Sequence, residues 1–422
     1  MPYRTIPSVS LRARLLGTSA VIALAASLNV APSTDADAAG FALKEQSSAA
    51  QGNSFAGATA GAEDVTYMFF NPAGLTRHEG NQVAGVLTYI VPKGESNNAD
   101  GNGVSAAPPS TGDAAEDAFT GAAYGMWSLS PDLKLAIAVN VPFGLSTKYD
   151  RGWQGRLYAI ESSVQSVNVN PTIAYRINET VSIGFGLQAQ KTNVTLSSEV
   201  GAGNLFEVEG DDWGYGFNLG ALFELSPQTR IGVAYRSQVK HEISGDATLE
   251  AVGTAGAKAD LTTPDSATLG IYHDINEQWA VMGEVAWTGW STFDQVQINM
   301  DSDPGLGTTT VTIPQDWSDV WFAAIGASWR PNDTWTLRGG IAYDQTPLSN
   351  TYRSPRLTDE DRTWVSLGAR YEVTPNFAID AGYTHIFIKD ANVDITLPPA
   401  LTFTATYENS VDIITAQATW RF

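Results

Sequence analysis

The sequence predicts an all-β fold, a 14-stranded antiparallel transmembrane β-barrel with an N-terminal hatch, which is a plug segment inside the barrel. Three observations favour this fold. Apolar and polar residues alternate with a period of two in segments of strand length. Short and long polar connections between these segments alternate strictly. After the first 38 residues, the chain has no apolar run of about 18 residues, which a membrane helix requires, whereas strands of about 9–11 residues cross a bilayer.

The N-terminus has the order of features that is typical of an export signal. Three basic residues, Arg4, Arg12 and Arg14, precede an apolar run at residues 15–30. Residues 36–38 read Ala-Asp-Ala and fit a small-residue cleavage site. We therefore expect residues 1–38 to be removed as a signal peptide. A cytosolic amphipathic N-terminus is the alternative.

The composition limits the cellular compartment and the kinds of partner that this chain can have. The chain has no cysteine, so an exported form gains nothing from disulfides and depends on a closed hydrogen-bond network or a large core. Its net charge of -21 repels polyanions and excludes nucleic acid as a partner. Acidic residues concentrate in polar segments such as 207–212, 301–303 and 359–361. We interpret these as solvated loops, with divalent cations or lipopolysaccharide as the alternative ligands.

Residues 39–80 form the predicted hatch. This stretch is rich in small residues, lacks strand-like alternation and ends in Asn71, Pro72 and Ala73 followed by glycine. An Asn-Pro pair initiates turns. Residues 81–422 repeat strand, turn, strand and long loop, and form the predicted barrel.

The connections of the barrel give its strand number. Six short turns rich in Pro, Asn and Asp lie at residues 130–132, 177–180, 226–228, 275–277, 331–333 and 374–376. Seven longer polar segments, expected to be loops, lie near 95–117, 148–160, 197–212, 240–264, 294–312, 345–361 and 389–409. Together they join 14 strands. Since the number is even, both ends of the barrel lie on the short-turn, periplasmic side.

The two faces of the strands differ in character. In residues 213–225, one face carries large apolar and aromatic residues and the other carries Gly214, Gly216, Asn218, Gly220, Leu222 and Glu224. The apolar face suits lipid, and closure satisfies backbone groups that have no water in hydrocarbon. The small inward residues leave room for a plug and an apolar ligand. Tryptophans near strand ends fit interfacial girdles.

The third predicted strand, residues 133–148, carries a local disruption. It contains Pro142, Phe143 and Gly144. Proline lacks the amide that a sheet requires and glycine weakens a strand, so we expect pairing to fail at this triplet. A simple bulge near the barrel rim is the alternative.

Six stretches carry a family resemblance. They are AGF at 39–41, FFNPAGLT at 69–76, VPFGLSTKYDRGWQGR at 141–156, DDWGYGFNLGALFEL at 211–225 with IGVAYRSQVK at 231–240, WTLRGGIAYDQTP at 335–347, and PRLTDEDRTWVSLGARY at 355–371. In this order they resemble the FadL/TodX family of outer-membrane transporters for hydrophobic compounds. The resemblance covers essentially all of residues 39–422 and implies the outer membrane of a Gram-negative bacterium.

The resemblance implies a mechanism and a set of site residues. A hydrophobic ligand, a long-chain fatty acid or a hydrocarbon, enters from outside, binds near the hatch and leaves sideways where the third strand kinks. The triplet Pro142, Phe143 and Gly144 is then the lateral gate. The mature N-terminus, with Gly40 and Phe41, reaches toward the ligand and is displaced when it arrives. Asn71, Pro72 and Ala73 match the family's NPA motif, which anchors the hatch.

The chain departs from the fatty-acid branch in one respect. The positions expected to hold cations for a carboxylate correspond, by resemblance, to Ser198 and Ser318, which are uncharged. Arg370, Arg338 or Lys191 are candidates to compensate, although Lys191 is predicted to face outward. The choice between fatty acids and uncharged hydrocarbons therefore stays open.

The alternatives to this function are an outer-membrane lipid-acting enzyme and a general porin. An outer-membrane lipid-acting enzyme needs a serine and a histidine that meet, and His241 and Ser244 are the nearest such pair. A general porin usually lacks a plug and has a charged lumen. We expect neither enzymatic activity nor a cofactor or metal, and we expect the barrel to work as a monomer surrounded by outer-membrane lipid and lipopolysaccharide.

Overall fold

The computed structural model describes residues 40–101, 113–201, 203–397 and 401–422. The predicted signal peptide, residues 1–38, and Ala39 at the start of the predicted hatch lie outside the described residues. Within those ranges, no helix combines the length and the hydropathy that a membrane span requires.

Residues 40–80, called the plug below, contain only short helices. Two α-helices, α1 (Ser48–Gln51) and α2 (Ala58–Gly61), precede two 3-10 helices at Val65–Phe69 and Pro72–Arg77. Side chains cap three of the four, because Ser47, Asp64 and Asn71 each accept a hydrogen bond from a backbone amide of the first turn. The small residues of this segment show no helical or strand periodicity in the sequence. They allow its four short helices to pack closely together.

Within the described residues, the barrel consists of twenty strand segments. They are β1 (Gln82–Gly101), β2 (Ala118–Ser128), β3 (Leu133–Asn140), β4 (Gly144–Lys148), β5 (Glu161–Arg176), β6 (Val181–Val200), β7 (Asn204–Glu224), β8 (Thr229–Arg236), β9 (Val239–Leu249), β10 (Gly253–Thr263), β11 (Ser266–Asp274), β12 (Trp279–Thr288), β13 (Gln295–Met300), β14 (Thr310–Pro314), β15 (Val320–Trp329), β16 (Trp335–Asp344), β17 (Arg362–Thr374), β18 (Phe377–Ile388), β19 (Ala391–Leu397) and β20 (Leu401–Arg421). A short 3-10 helix, Trp290–Thr292, separates β12 from β13.

These segments form a closed barrel of 14 strands, which confirms the predicted fold. Six barrel strands are in two pieces, namely β3/β4, β8/β9, β10/β11, β12/β13, β14/β15 and β18/β19. Each barrel strand pairs antiparallel with its neighbours in chain order. The first and last strands, β1 and β20, pair from Gln82 with Arg421 to Gly101 with Phe403 and close the barrel. Closure removes the free edges that hydrocarbon does not tolerate.

The six short turns lie where the sequence predicts them, at one end of the barrel. Three of them are built on an asparagine whose Oδ1 accepts hydrogen bonds from the amides two and three residues later, as Asn178 does from Thr180 and Val181. Asn276 and Asn332 make the same contacts. Ser130 and Ser226 use their hydroxyl in the same way. Local side-chain acceptors thus determine these turns.

The interpretation of the long segments as loops is wrong for several of them. Most of 197–212, 240–264 and 389–409 is strand, and β6 pairs with β7 as far as Val200 with Asn204. The segment 294–312 is also largely a hairpin, of β13 and β14. These hairpins extend the barrel beyond the membrane, where water bathes the outer face. Polar residues therefore replace the apolar ones that make strand periodicity visible.

The outer face is apolar around the barrel, as the alternation predicts. On β7, Trp213, Tyr215 and Leu219 are exposed, whereas the intervening Gly214, Asn218 and Leu222 are buried. Aromatic side chains gather near the short-turn end, where Trp279 stacks on Trp329 and Trp335 packs on Tyr371. Exposed aliphatic residues flanked by aromatic ones form the band that contacts lipid.

The inner face of the barrel carries glycines because the plug backbone packs directly against it. A Cβ added to Gly184 of β6 would lie 2.5 Å from the amide nitrogen of Ala73. A Cβ on Gly368 of β17 would lie 2.7 Å from the Cα of Gly52. At Gly340 of β16 the added atom would overlap the carbonyl oxygen of Asn53. Plug and wall therefore approach each other more closely than any side chain on these positions allows.

Candidate functional site

The wall of the barrel is incomplete at the third strand. The pairing of β2 with β3 ends at Ala123 with Val139. Farther out, the next contact between the two strands joins Ala115 to Thr147. Among the described residues, β4 has no strand partner on this side, and it pairs only with β5. The stretch between these two contacts is therefore an interruption in the hydrogen-bonded wall.

Strand three keeps its other neighbour across the interruption. Asn140 pairs with Asn168, and Gly144 pairs with Gln165, so three residues of strand three oppose two of β5. The Phe143 amide donates to Ser166 Oγ at 2.9 Å, and its carbonyl accepts from the Ser166 amide at 3.1 Å. The triplet Pro142, Phe143 and Gly144 thus forms a bulge against β5 and an opening toward β2. Its role as a lateral gate stays a prediction.

The start of the plug fills this opening. The Leu43 amide donates to the Pro142 carbonyl at 2.8 Å, and the Gly144 amide donates to the Phe41 carbonyl at 2.9 Å. Ala42 and Phe143 form an antiparallel bridge between them. Residues 41–43, called the N-terminal strand-filler below, take the place that β2 leaves empty. The two backbone hydrogen bonds of Phe41 and Leu43 join this segment to strand three of the wall.

Phe41 lies at the centre of an aromatic cluster. Its ring centroid is 4.7 Å from that of Trp290, 5.6 Å from Phe293 and 5.7 Å from Trp317. Phe143 completes the cluster at 5.9 Å, in an edge-on arrangement. All five side chains are buried, with 8% or less of their surface exposed. Such edge-to-face contacts add to the large area that aromatic rings bury.

Gly40 is held beside this cluster by a loop. Its backbone has φ +65, and an added Cβ would lie 2.7 Å from the ring of Trp290 and 2.8 Å from that of Trp317. Its amide donates to Asp359 Oδ2 at 3.2 Å, and Asp359 Oδ1 pairs with Arg362 at 2.5 Å. Burial raises the pKa of the Asp359 carboxyl. Glycine is required here both by the backbone conformation and by the two rings.

Two largely apolar cavities meet the N-terminal strand-filler, one lined by Phe41 and the other by Ala42 and Leu43. The outer cavity is lined by Phe41, Leu145, Val164, Leu196, Ile243, Trp317, Arg356 and Leu357 among others. The inner cavity is lined by Ala42, Leu43, Lys44, Phe55, Pro142, Phe143, Arg236 and Phe322 among others. The N-terminal strand-filler separates the two. Since Pro142 and Phe143 line the inner cavity, that cavity ends at the interruption in the wall.

The outer cavity has a cation at its edge that the sequence analysis did not single out. Arg356 lies in the segment between β16 and β17, which reaches across the barrel to β5 and β6. Its Nη1 donates to the Glu161 carbonyl at 3.1 Å and to Ser162 Oγ at 3.0 Å, and its Nη2 donates to the Ser197 carbonyl at 3.2 Å. Its position in PRLTDEDR is evident in the sequence, but only the fold brings it to residues that lie 159 to 195 positions earlier in the chain.

The two arginines proposed to supply a cation for the ligand, Arg338 and Arg370, pair with carboxylates of the plug and the wall instead. Arg338 pairs with Glu63 of the plug at 2.5 Å and with Asp380 at 3.0 Å. Arg370 pairs with Asp64 of the plug and with Asp380, at 3.0 and 3.3 Å. All five groups are buried or nearly so, and they form one ionic network between plug and wall. The expectation that Arg338 or Arg370 meets a ligand carboxylate is therefore wrong.

The remaining sequence candidates do not line either cavity. Ser198 is half-buried on β6, and Ser318 is exposed. Lys191 faces outward, as predicted, and pairs with Asp211 at 3.2 Å. Because Ser198 and Ser318 line neither cavity, their lack of charge does not determine whether a ligand in either cavity meets a cation.

Asn71, Pro72 and Ala73 lie between the plug and strands β6 and β7. Asn71 Nδ2 donates to the Thr59 carbonyl within the plug at 2.8 Å and to the Ala221 carbonyl of β7 at 3.0 Å. Asn71 Oδ1 accepts from the Ala73 amide and caps the helix that follows. The side chain thus joins two plug segments to the wall. These contacts support the predicted anchoring role, which stays a prediction.

His241 and Ser244, the pair considered for a lipid-acting enzyme, point to opposite faces of β9. His241 is buried, with its Nε2 3.1 Å from Gln190 Nε2 and 3.2 Å from Thr192 Oγ1. Ser244 is exposed on the outer face, and its hydroxyl donates to the Glu242 carbonyl. Residues an odd number apart in one strand face opposite sides, so these two cannot act together.

Comparisons with known proteins agree with this architecture. The sequence model of the family described as "Outer membrane protein transport protein (OMPP1/FadL/TodX)" matches residues 29–422. The long-chain fatty acid transport protein of Escherichia coli O6:H1 is 27% identical over 88% of this chain and 92% of its own length. The crystal structure of a Pseudomonas aeruginosa FadL homologue superposes with a TM-score of 0.82, at 23% identity over 91% of this chain and all of that one. The Ralstonia pickettii toluene transporter TbuX gives a TM-score of 0.67, at 21% identity over 88% of this chain and 97% of that one.

Proposed function

Because the chain belongs to the OMPP1/FadL/TodX family of outer-membrane transport proteins, we propose that it carries hydrophobic small molecules passively across the outer membrane. The family consists of transporters, so the protein is a transport protein of the outer membrane rather than an enzyme. Relatives named for the transport of long-chain fatty acids and of toluene indicate that the ligand is a fatty acid or a hydrocarbon. Signal cleavage after residue 38, function as a monomer, and contact with lipid and lipopolysaccharide belong to the same proposal.

The observation that carries the proposal is the position of the N-terminal strand-filler. It separates the two apolar cavities, and it also occupies the interruption between β2 and β4 through the hydrogen bonds of Phe41 and Leu43. A ligand in the outer cavity that displaces Phe41 reaches the inner cavity. The same displacement unpairs Pro142 and Gly144 and opens the wall toward lipid. One movement thus connects binding to lateral release.

The energetics favour this route for an apolar molecule. Each methylene that leaves water gains about 0.8 kcal/mol, so an apolar cavity supplies affinity that a water-filled channel does not. Release into the bilayer keeps the molecule in equally apolar surroundings. Binding and release are then nearly balanced, and a concentration gradient is sufficient to drive net transport.

We further propose that residues 44–80 stay in place as the hatch. Wall glycines contact the plug backbone directly, and the ionic network of Arg338 and Arg370 ties Glu63 and Asp64 to β16, β17 and β18. Wall arginines also donate to plug carbonyls, as Arg230 does to Ala60 and Gly61, both at 2.7 Å. The N-terminal strand-filler has far fewer such contacts. Burial of the Phe41 side chain is what mainly holds this segment, and an apolar ligand that takes the place of Phe41 replaces the contacts that are lost.

Uptake into cells that lack their own transporter tests the proposal. We would compare a long-chain fatty acid, the alkane of equal length and a simple alkylbenzene. Entry of at least one of them above the level of cells with empty vector is the expected result. Entry of none, together with open-channel ion conductance in a planar bilayer, would favour a general porin instead.

A further inference from the structure

We propose that the outward face of the β9–β10 hairpin binds the phosphate groups of lipopolysaccharide, and that Lys240 and Lys258 make the contacts. This inference rests on the proposed function and deepens it, since it names the surface through which the barrel meets the lipid of the outer leaflet. The partner is a phosphorylated glycolipid on the outside of the wall rather than a transported molecule. Neither lysine lines the outer or the inner cavity.

The lysines of this chain are concentrated on one part of its surface. Six of the eight lie in the half of the barrel that carries the long connections, namely Lys93, Lys148, Lys191, Lys240, Lys258 and Lys389. Of the other two, Lys44 belongs to the plug and Lys134, near a short turn, is only 1% exposed. In a chain with a net charge of -21, the lysines that lipid can reach are therefore all on the side of the outer leaflet.

Lys240 and Lys258 differ from the other exposed lysines in having no partner charge. Lys93, Lys148 and Lys389 each pair with a carboxylate, from Glu95, Glu161 and Asp361, at 3.0, 3.1 and 2.8 Å. Within the ranges that the structure describes, no carboxylate oxygen lies within 4 Å of the Nζ of Lys240 or Lys258. Both side chains are exposed. They are thus available to an anion from outside the protein.

The two lysines lie close to the outer edge of the lipid-facing band. Tyr215 of β7, which is 73% exposed, lies four residues from Asp211. Lys240 lies four residues from Ser244, which pairs with Asp211, so Lys240 is close to the level of Tyr215. Lys258 pairs with Ser244 and lies farther out. Aromatic side chains mark the boundary between hydrocarbon and head groups, and lipid phosphates lie just beyond it.

The neighbours of the lysines in the sheet suit a sugar phosphate. Thr262 lies opposite Lys240, and Ser244 lies opposite Lys258. On its other side, Lys258 pairs with Asn299 of β13. Hydroxyl and amide groups donate and accept hydrogen bonds, so they can bind both the sugar hydroxyls and the phosphate oxygens of a glycolipid.

Two carboxylates lie between the lysines on the same face. Glu242 and Asp260 are opposite each other in the hairpin, and both are exposed. Like charges in directly opposite positions repel. Divalent cations bind carboxylates and phosphates together, so a cation that arrives with the lipid relieves this repulsion. The two acidic residues therefore do not exclude an anionic lipid from this face.

The test measures binding of lipopolysaccharide against that of phosphatidylglycerol, which is a phosphate lipid without sugar phosphates. The purified full-length mature protein, in detergent with magnesium present, is titrated against fluorescently labelled lipopolysaccharide, and unlabelled phosphatidylglycerol is the competitor. The variant is Lys240→Gln with Lys258→Gln. The control is Lys148→Gln with Lys389→Gln, which removes the same charge from two exposed lysines that have carboxylate partners. Heat-modifiable mobility verifies that each barrel is folded.

We expect Lys240→Gln with Lys258→Gln to weaken lipopolysaccharide binding about 10- to 30-fold, the effect of two lysines near an anionic lipid surface. The control pair should leave binding nearly unchanged, and Lys240→Arg with Lys258→Arg should retain it because the charges remain. Unchanged binding by the glutamine variant would overturn the inference. An equal loss in the control would overturn it too, since net charge alone would then explain the effect. Displacement by phosphatidylglycerol at equal concentration would contradict the choice of lipopolysaccharide.

The two proposals fail in different ways. Uptake of hydrophobic ligands into cells should be the same for the glutamine variant as for the unaltered protein, because neither lysine lines a cavity. Loss of uptake by the variant would place the lysines in the transport route and overturn the inference. If the unaltered protein takes up none of the test compounds, the proposed function falls, and lipopolysaccharide binding still decides the role of this face.

Discussion

The amide of Leu43 donates a 2.8 Å hydrogen bond to the carbonyl of Pro142, across a separation of about one hundred residues in the chain. This contact makes the start of the plug a short piece of the barrel wall. Strand three has lost β2 as its neighbour at this level, and the N-terminal strand-filler satisfies the exposed backbone groups. In a bilayer, such groups must find a partner or face water. The opening and the segment that fills it are therefore one structural unit.

The lateral route predicts the effect of restoring a regular strand. Replacing Pro142→Thr and Gly144→Val together returns a donor and two strand-forming residues to the triplet, so β3 and β4 can form one continuous strand. We expect ligand uptake into cells to fall to background while ligand binding to the purified protein is retained. Radiolabelled ligand measures both quantities.

The control for this variant uses the same types of change away from the opening. Pro171 of β5 and Gly283 of β12 both face outward, and a Cβ at Gly283 would have its nearest neighbour at 3.6 Å. Pro171→Thr with Gly283→Val should leave uptake unchanged. Normal uptake by the Pro142→Thr, Gly144→Val protein would remove the lateral gate from the mechanism.

The aromatic cluster predicts that Phe41 holds the N-terminal strand-filler in the wall. Phe41→Ala removes a side chain that is 2% exposed, and such truncations cost about 3–5 kcal/mol in a packed core. We expect the amides of Leu43 and Gly144 to exchange with deuterium at least a hundredfold faster, measured by mass spectrometry of the protein in detergent. Exchange in β16 and β17 should not change.

Phe387→Ala provides the comparison, because Phe387 is 56% exposed on the lipid-facing side of β18. It should leave exchange at Leu43 and Gly144 as it is. If Phe41→Ala also leaves it unchanged, the backbone hydrogen bonds alone hold the segment, and displacement of Phe41 by a ligand would not open the wall.

The glycine contacts predict that the inner face does not accept side chains. Gly340→Val would place its side chain where the Asn53 carbonyl lies, so either the plug or the strand must shift. We expect this variant to lose protection of the plug against added protease while the barrel itself still assembles. The readout is the ratio of plug cleavage to folded barrel on a gel without heating.

Its neighbour supplies a matched control. Gly339 is on the same strand but faces outward, and a Cβ there would lie 3.6 Å from Leu367 and meet no plug atom. Gly339→Val should retain the protected plug. Equal protection in the two valine variants would mean that the plug adjusts to the wall at no measurable cost.

Much of the fold could be predicted because its signals are local. The turns are built by Asn178, Asn276 and Asn332 acting on amides two and three residues away. The faces of β7 follow from alternation in one stretch of sequence. The number of strands, their antiparallel order and the side that faces lipid all follow from these two signals. The extended hairpins are hard to recognise in the sequence because, outside the membrane, their outer faces are polar and their apolar residues, such as Phe206, Leu249 and Ile298, face inward.

The amino-acid sequence by itself determined the barrel, its strand count, its outward apolar face and the small residues of its inner face, because period-two alternation and turn chemistry act over a few residues. Only the tertiary structure determined which residues contact one another inside the barrel. It brought Leu43 to Pro142, gathered Trp290, Phe293 and Trp317 around Phe41, used Arg338 and Arg370 on the plug, and left Arg356 beside the outer cavity. These contacts join residues far apart in the chain, and closure of the barrel alone determines which of them share the same volume.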